Sequence, residues 1–270
     1  MAVLHHVEWG DPDAPVVVCL HGVNAHARRF RRLGERLAPR FRVVAVDLRG
    51  HGKSTWEPPW DLETHLDDLQ DTLRALGIGA ADWIGHSFGG RILLELVADR
   101  PEIVRRAVLL DPAVWVPPHV ALDRADGERR DRAYASPEEA VERRFVESRL
   151  RSTPRELVEE EVEAHLARGD DGRWRYRYCQ SAVVAAFGEM AKPPPPFETV
   201  QVPTLVVHGL DSDVVPEVVV DVLREGIDDL EVAPVPGGHI VMWDAFEETA
   251  QALERFLDGR REAIVAPEAR

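Results

Sequence analysis

Cysteine and lysine are both scarce in this chain of 270 residues. Two cysteines, Cys19 inside an apolar run and Cys179 far along the chain, exclude a disulfide framework. Lys53 and Lys192 are the sole lysines among 33 basic residues, a compositional bias rather than a functional patch. No apolar run approaches membrane-spanning length, and the first is broken by His5, His6 and Glu8. Neither a signal peptide nor a membrane span is therefore expected, and the expected location is cytoplasmic. There is no G-x-G-x-x-G and no P-loop to cradle phosphates, so no nucleotide cofactor is expected. His119 and His165 stand apart from any ligand-like spacing, and no metal is expected. A net charge of −15 argues against nucleic acid and anionic membrane surfaces as partners. It is compatible with a small neutral substrate and carries no information on oligomeric state.

What is present is the composition of a globular protein, 44% hydrophobic and 30% charged, long enough for one sizeable domain or a domain carrying an insertion. Strand-like runs fall at Ala2–Trp9, Val16–His21, Phe41–Asp47, Ala81–His86, Val104–Asp111, Thr204–Gly209 and Leu230–Val235, with helix-like runs between most of them. That alternation predicts an α/β fold, a mostly parallel central sheet with helices on both faces. Asp61 is placed to cap a helix over Leu62–Leu76, whose Leu62, Leu66, Leu69 and Leu73 recur at helical spacing and which Gly77 stops. A last helix is predicted over Ala245–Leu257.

Between Asp111 and Thr204 the alternation fails. Ser136-Pro137-Glu138-Glu139 and Thr153-Pro154-Arg155-Glu156 read as capping boxes with proline at the first helical position. A third helix is predicted near Gln180–Met190, followed by the stiff link Pro193–Pro196. The domain reading is thus a core of residues 1–112 and 200–258, a helical cap or lid over 113–199, and a loose tail over 259–270. Trp115, Trp174, Tyr176, Tyr178, Phe187 and Met190 are available to line a cavity, and none is assigned to substrate. The arginines of 129–132 and 143–144 and the run Glu159–Glu161 read as solvated helix faces.

Gly85-His86-Ser87-Phe88-Gly89 follows a strand and precedes a helix. Two flanking glycines let the backbones approach closely and push the serine hydroxyl into the open. The Phe88 N–H then points to the space above that hydroxyl, at a helix N-terminus, where negative charge is stabilised. A serine needs a base and an orienting acid. His239, in Pro236-Gly237-Gly238-His239, is the one histidine of eleven beyond the acidic candidates near residue 211. For the acid, Asp211 and Asp213 both follow the strand ending at Gly209; Asp213 is preferred because it adjoins Val214-Val215-Pro216, and Asp211 stays open as a turn cap. A second oxyanion donor, the Val23 N–H, is expected after His21-Gly22, with His21 structural under that loop.

Together these residues resemble the α/β-hydrolase superfamily over nearly the whole chain and in the right order. His21-Gly22 is similar to its oxyanion loop, Asp47–Ser54 to the loop after its next strand, and Gly85–Gly90 to its nucleophile elbow. Gly209–Asp213 resembles its acid loop and Gly238-His239 its histidine loop. Many members carry the acid three residues after the glycine, where this chain has Ser212; a Gly-x-x-Ser-Asp variant of the loop would make it Asp213. The resemblance implies a cofactor-independent serine hydrolase cleaving small or medium carboxylic esters, monoacylglycerol-like ones included, through Ser87, His239 and Asp213, with Val23 and Phe88 N–H groups holding the oxyanion. It also implies that the insertion covers the site. Lactones, thioesters, carbon–carbon bonds and perhydrolysis use the same apparatus, and a ligand receptor on the same fold is the alternative of another class.

Overall fold

A computed structural model of the chain describes residues 2–148 and 150–259. The expected tail lies, from residue 260 on, outside the described residues. Seven strands form one sheet: β1 (His6–Trp9), β2 (Val16–Leu20), β3 (Arg42–Val46), β4 (Ala81–His86), β5 (Val104–Leu110), β8 (Thr204–Gly209) and β9 (Leu230–Val235). Their spatial order is β1-β3-β2-β4-β5-β8-β9. Only the β1–β3 pairing is antiparallel; the other five are parallel. The chain moves outward from β2 to β3, then crosses back to β4, so the crevice between the β2 and β4 carboxyl ends is the switch point where open α/β sheets bind ligands.

Side-chain alternation divides the core into two layers. Val18, Leu20, Val44 and Val46 face one way, into α2 (Leu62–Ala75) and α3 (Phe88–Asp99). Val17, Cys19, Val43 and Ala45 face the other, into α1 (Arg31–Leu37) and α10 (Phe246–Leu257). Each fully buried Val or Leu contributes about 1.5–3 kcal/mol relative to exposure. Strand β1 is shorter than predicted because residues 2–4 turn to α2 instead. The Ala2 N–H donates to Asp68 and the Leu4 N–H to Thr72. The Asp61 carboxylate accepts from the Thr64 N–H at 2.8 Å, the expected cap of α2.

Between β5 and β8 the chain builds α4 (Pro118–Glu128), α5 (Pro137–Glu147), α6 (Arg155–His165) and α7 (Gln180–Met190). It also forms a short hairpin of β6 (Leu166–Arg168) and β7 (Trp174–Tyr176), which the sequence reading missed because each strand has three residues. Ser136 caps α5 as predicted, accepting from the Glu139 N–H. Thr153 does not cap α6; its hydroxyl donates to Asp244 and ties the insertion to the residues just before α10. Tyr176, Tyr178, Phe187 and Met190 are buried within this segment, whereas Trp115 is exposed. Two sequence expectations fail here: Arg144 and Glu161 are buried rather than solvated, with Glu161 paired to Arg29 of the core.

Several buried histidines are expected to make the core acid-labile. Burial lowers His51 and His65 to about 4, and holds His21, His86 and His165 well below the ordinary value. The folded state thus keeps these rings neutral while the unfolded chain protonates near 6.5. Their stabilisation is complete above 6.5 and is lost as pH falls towards 4, by about 1 kcal/mol per pH unit for each ring. Urea midpoints measured from pH 7.5 to 4.5 are expected to fall steeply below 6.5, and a flat profile would contradict the neutral assignment.

Candidate active site

Ser87 directly follows β4 and starts α3, with φ 56° and ψ −116°. Such a backbone costs a non-glycine residue on the order of 1–3 kcal/mol, and the neighbouring glycines make it reachable. A Cβ at Gly85 would lie 2.4 Å from the Gly89 carbonyl oxygen, and one at Gly89 would lie 2.2 Å from that of Leu20. A Cβ at Gly22 would sit 2.8 Å from the Ser87 Cβ, so the loop after β2 passes directly against the serine. Gly89→Ala is accordingly expected to cost about 2 kcal/mol or more through overpacking, measured as a lower urea midpoint. An unchanged midpoint would mean that the β2 loop can yield.

The Phe88 and Val23 N–H groups find no acceptor among the described residues, although Phe88 is fully buried. Unpartnered N–H groups at a helix N-terminus and in a turn beside glycine are available to stabilise an anion. His21 is held beneath them. Its Nδ1–H donates to the Gly22 carbonyl at 2.8 Å, and its Nε2 accepts from the Leu48 N–H at 3.0 Å.

His239 follows Gly237, whose φ of 94° carries the loop over the sheet edge. The Asp244 carboxylate receives the Gly238 N–H, and the His86 Nε2–H donates to the His239 carbonyl at 3.0 Å. The ring partner differs from expectation. His239 Nδ1 lies 2.6 Å from Asp111 Oδ2, while Asp213 and Asp211 are exposed and make no hydrogen bond to the ring. Asp111 leaves the end of β5 with φ 43° and is fully buried. Its carboxylate also accepts from the Gly209 N–H at 3.0 Å and the Ser212 hydroxyl at 2.6 Å. It is Ser212, the residue before Asp213, whose hydroxyl reaches Asp111 and accepts from the Val214 N–H, while Asp213 is exposed. In the sequence Leu109-Leu110-Asp111 is only an apolar run ending on an acid; it is the β5–β8 pairing that sets Asp111 beside the turn carrying Ser212.

Ser87, with the loop after β2 packed against it, thus stands at the same sheet edge as the His239–Asp111 pair, since its N–H donates to the carbonyl of Leu110, the residue before Asp111. No hydrogen bond joins the Ser87 hydroxyl to another described residue; in substrate-free sites such contacts are often long and tighten when substrate binds. Asp111 fixes the His239 tautomer: with Nδ1 donating, Nε2 carries the lone pair that a general base uses.

The family pattern described as the alpha/beta hydrolase fold matches residues 15–246. This chain belongs to that family and is a hydrolase of the α/β class. It is 32% identical to lipase LipV of Mycobacterium tuberculosis (strain H37Rv), over 94% of this chain and 98% of the lipase. It is 27% identical to the 2-(acetamidomethylene)succinate hydrolase of Mesorhizobium japonicum, over 91% of this chain and 89% of that enzyme. The crystal structure of an E-2-(acetamidomethylene)succinate hydrolase superposes with a TM-score of 0.83 at 25% identity, covering 94% of this chain and 95% of the other. Among the described residues no helix is long and apolar enough to cross a membrane.

Proposed function

We propose that the protein is a serine hydrolase of carboxylic esters. Ser87 is the nucleophile, His239 the general base and acid, Asp111 its orienting partner, and the Val23 and Phe88 N–H groups hold the oxyanion. The observation that carries this reading is the 2.6 Å His239–Asp111 contact at the same sheet edge as the strained Ser87 turn. His239 Nε2 takes the Ser87 proton as Oγ attacks the ester carbonyl, and the negative charge gathers on the carbonyl oxygen between the two amides. The imidazolium then protonates the departing alcohol, leaving an acyl-serine. His239 next deprotonates a water that attacks the acyl carbon and frees Ser87. Asp111, buried and held by the Gly209 and Ser212 donors as well as the ring, orients the imidazole and stabilises the cation without taking its proton.

Ester chemistry is further supported by the likeness to a relative named a lipase. We read residues 113–199 as a cap over this edge, since the segment leaves the sheet directly after Asp111 and returns at β8. A panel of p-nitrophenyl esters from acetate to palmitate, run beside a fluorophosphonate label, tests the function. Multiple turnovers and rapid labelling are expected. Stoichiometric labelling without turnover would instead favour a ligand-binding protein on the same fold.

A further inference from the structure

A cleft of about 630 Å³ opens where α6 of the insertion meets the core, lined by none of Ser87, Asp111 and His239. It is lined by six cationic side chains, Arg28, Arg29, Arg31, Arg32, Lys53 and Arg177, facing three carboxylates, Glu160, Glu161 and Glu163. This excess of positive charge stands out in a chain of net charge −15. Glu161 is spent on Arg29, and Glu160 on Arg31. Arg28, Arg32, Lys53 and Arg177 have no carboxylate partner among the described residues. Arg32 lies over the Phe246 ring, and Arg177 reaches a backbone carbonyl at 3.4 Å.

A buried ring lines the same cleft. His26, 5% exposed, lines the cleft, and its Nε2 has no hydrogen-bond partner. His26 stacks on His165 with ring centroids 4.3 Å apart, and Glu161 completes a His26–Glu161–His165 group whose ligand atoms lie within 4.8 Å of one another. That group has the composition of a metal site. Its electrostatics do not suit one: both Glu161 oxygens are engaged by Arg29, and Arg144 stands 3.6 Å from the same carboxylate. A divalent cation would have to displace one guanidinium and approach another.

We propose that this cleft binds an organic anion, its phosphate or carboxylate oxygens held by Arg28, Lys53 and Arg177 with His26 as a buried hydrogen-bond partner. Charge-assisted bonds from several cations to one oxyanion are strong where water is partly excluded. The volume exceeds that of an inorganic anion, and Leu157 and Trp243 supply an apolar wall for its organic body. Arg28 and Lys53 belong to the core while Arg177 follows β7, so the ligand bridges core and insertion.

Isothermal titration of the full chain with inorganic phosphate, phenyl phosphate and citrate, at ionic strength matched with sodium chloride, tests the proposal. Saturable binding of at least one is expected, with phenyl phosphate tighter than inorganic phosphate if the class is phosphate and citrate alone binding if it is carboxylate. Arg28→Gln combined with Lys53→Gln should weaken it about tenfold or more while leaving anion-free ester turnover unchanged. Arg177→Gln should weaken it from the other wall. Because the readout is binding, the result is independent of whether Ser87 cleaves esters. Three outcomes would overturn the site: no saturable binding of any probe, equal binding by the double variant, or saturable Zn²⁺ binding abolished by His26→Ala with no anion bound.

Discussion

Asp111→Asn is expected to lower kcat by about 10⁴-fold while leaving KM within a few-fold. The amide can present its N–H to His239 Nδ1, which then becomes the acceptor and leaves a proton on Nε2, where the lone pair is needed. The Gly209 N–H would still hold the amide oxygen, and the Ser212 hydroxyl can turn to accept from the new NH2, so the fold is expected to survive. Asp213→Asn, on an exposed side chain, is the control and should stay within a few-fold of the parent. Measuring both constants for both variants decides between the positions. A collapse in the Asp213 variant with Asp111→Asn active would return the acid to the β8 loop.

Removal of the nucleophile has the larger effect. Ser87→Ala should reduce ester turnover by about 10⁶-fold, to the level set by oxyanion donors and binding alone, and should abolish fluorophosphonate labelling. The methyl group fits where the Cβ already sits, so the circular dichroism spectrum should be unchanged. Labelling of the alanine variant at the parent rate would move the nucleophile elsewhere, and with it the reading of the whole site.

Local signals were legible in the sequence, and distant ones were not. The elbow is a five-residue pattern whose glycines are required by neighbours within the same turn or the adjacent strand, so Gly85 and Gly89 announce it. His239 is singled out because two glycines mark its loop and no other histidine follows. The strands of the sheet are visible because each is an apolar run ending at its carboxyl edge. Asp111 was hidden by the opposite circumstance. Its role depends on β5 lying beside β8, a pairing of residues about a hundred positions apart that no local spacing encodes. The buried Glu161 and Arg144 were misread for the same reason, since the Arg29 that neutralises Glu161 comes from a distant part of the chain. His26, Glu161 and His165 have no meaningful spacing along the sequence, yet they meet in space.

The β4–β5 ladder has a consequence for how this site could change over time. The Ser87 N–H donates to the Leu110 carbonyl, and the Ala113 N–H donates back to the Ser87 carbonyl. Ser87 and Asp111, the proposed nucleophile and acid, are thereby riveted to one plank of the sheet, with Asp111 between those two bonds. His239 alone arrives on a separate loop, tethered by Gly237, Gly238 and the His86 contact. Adjustment of the proton-transfer geometry thus has a single moving part. Inherited variation that retunes the chemistry should gather in residues 236–244, while the freed β8 turn at 210–213 is open to drift.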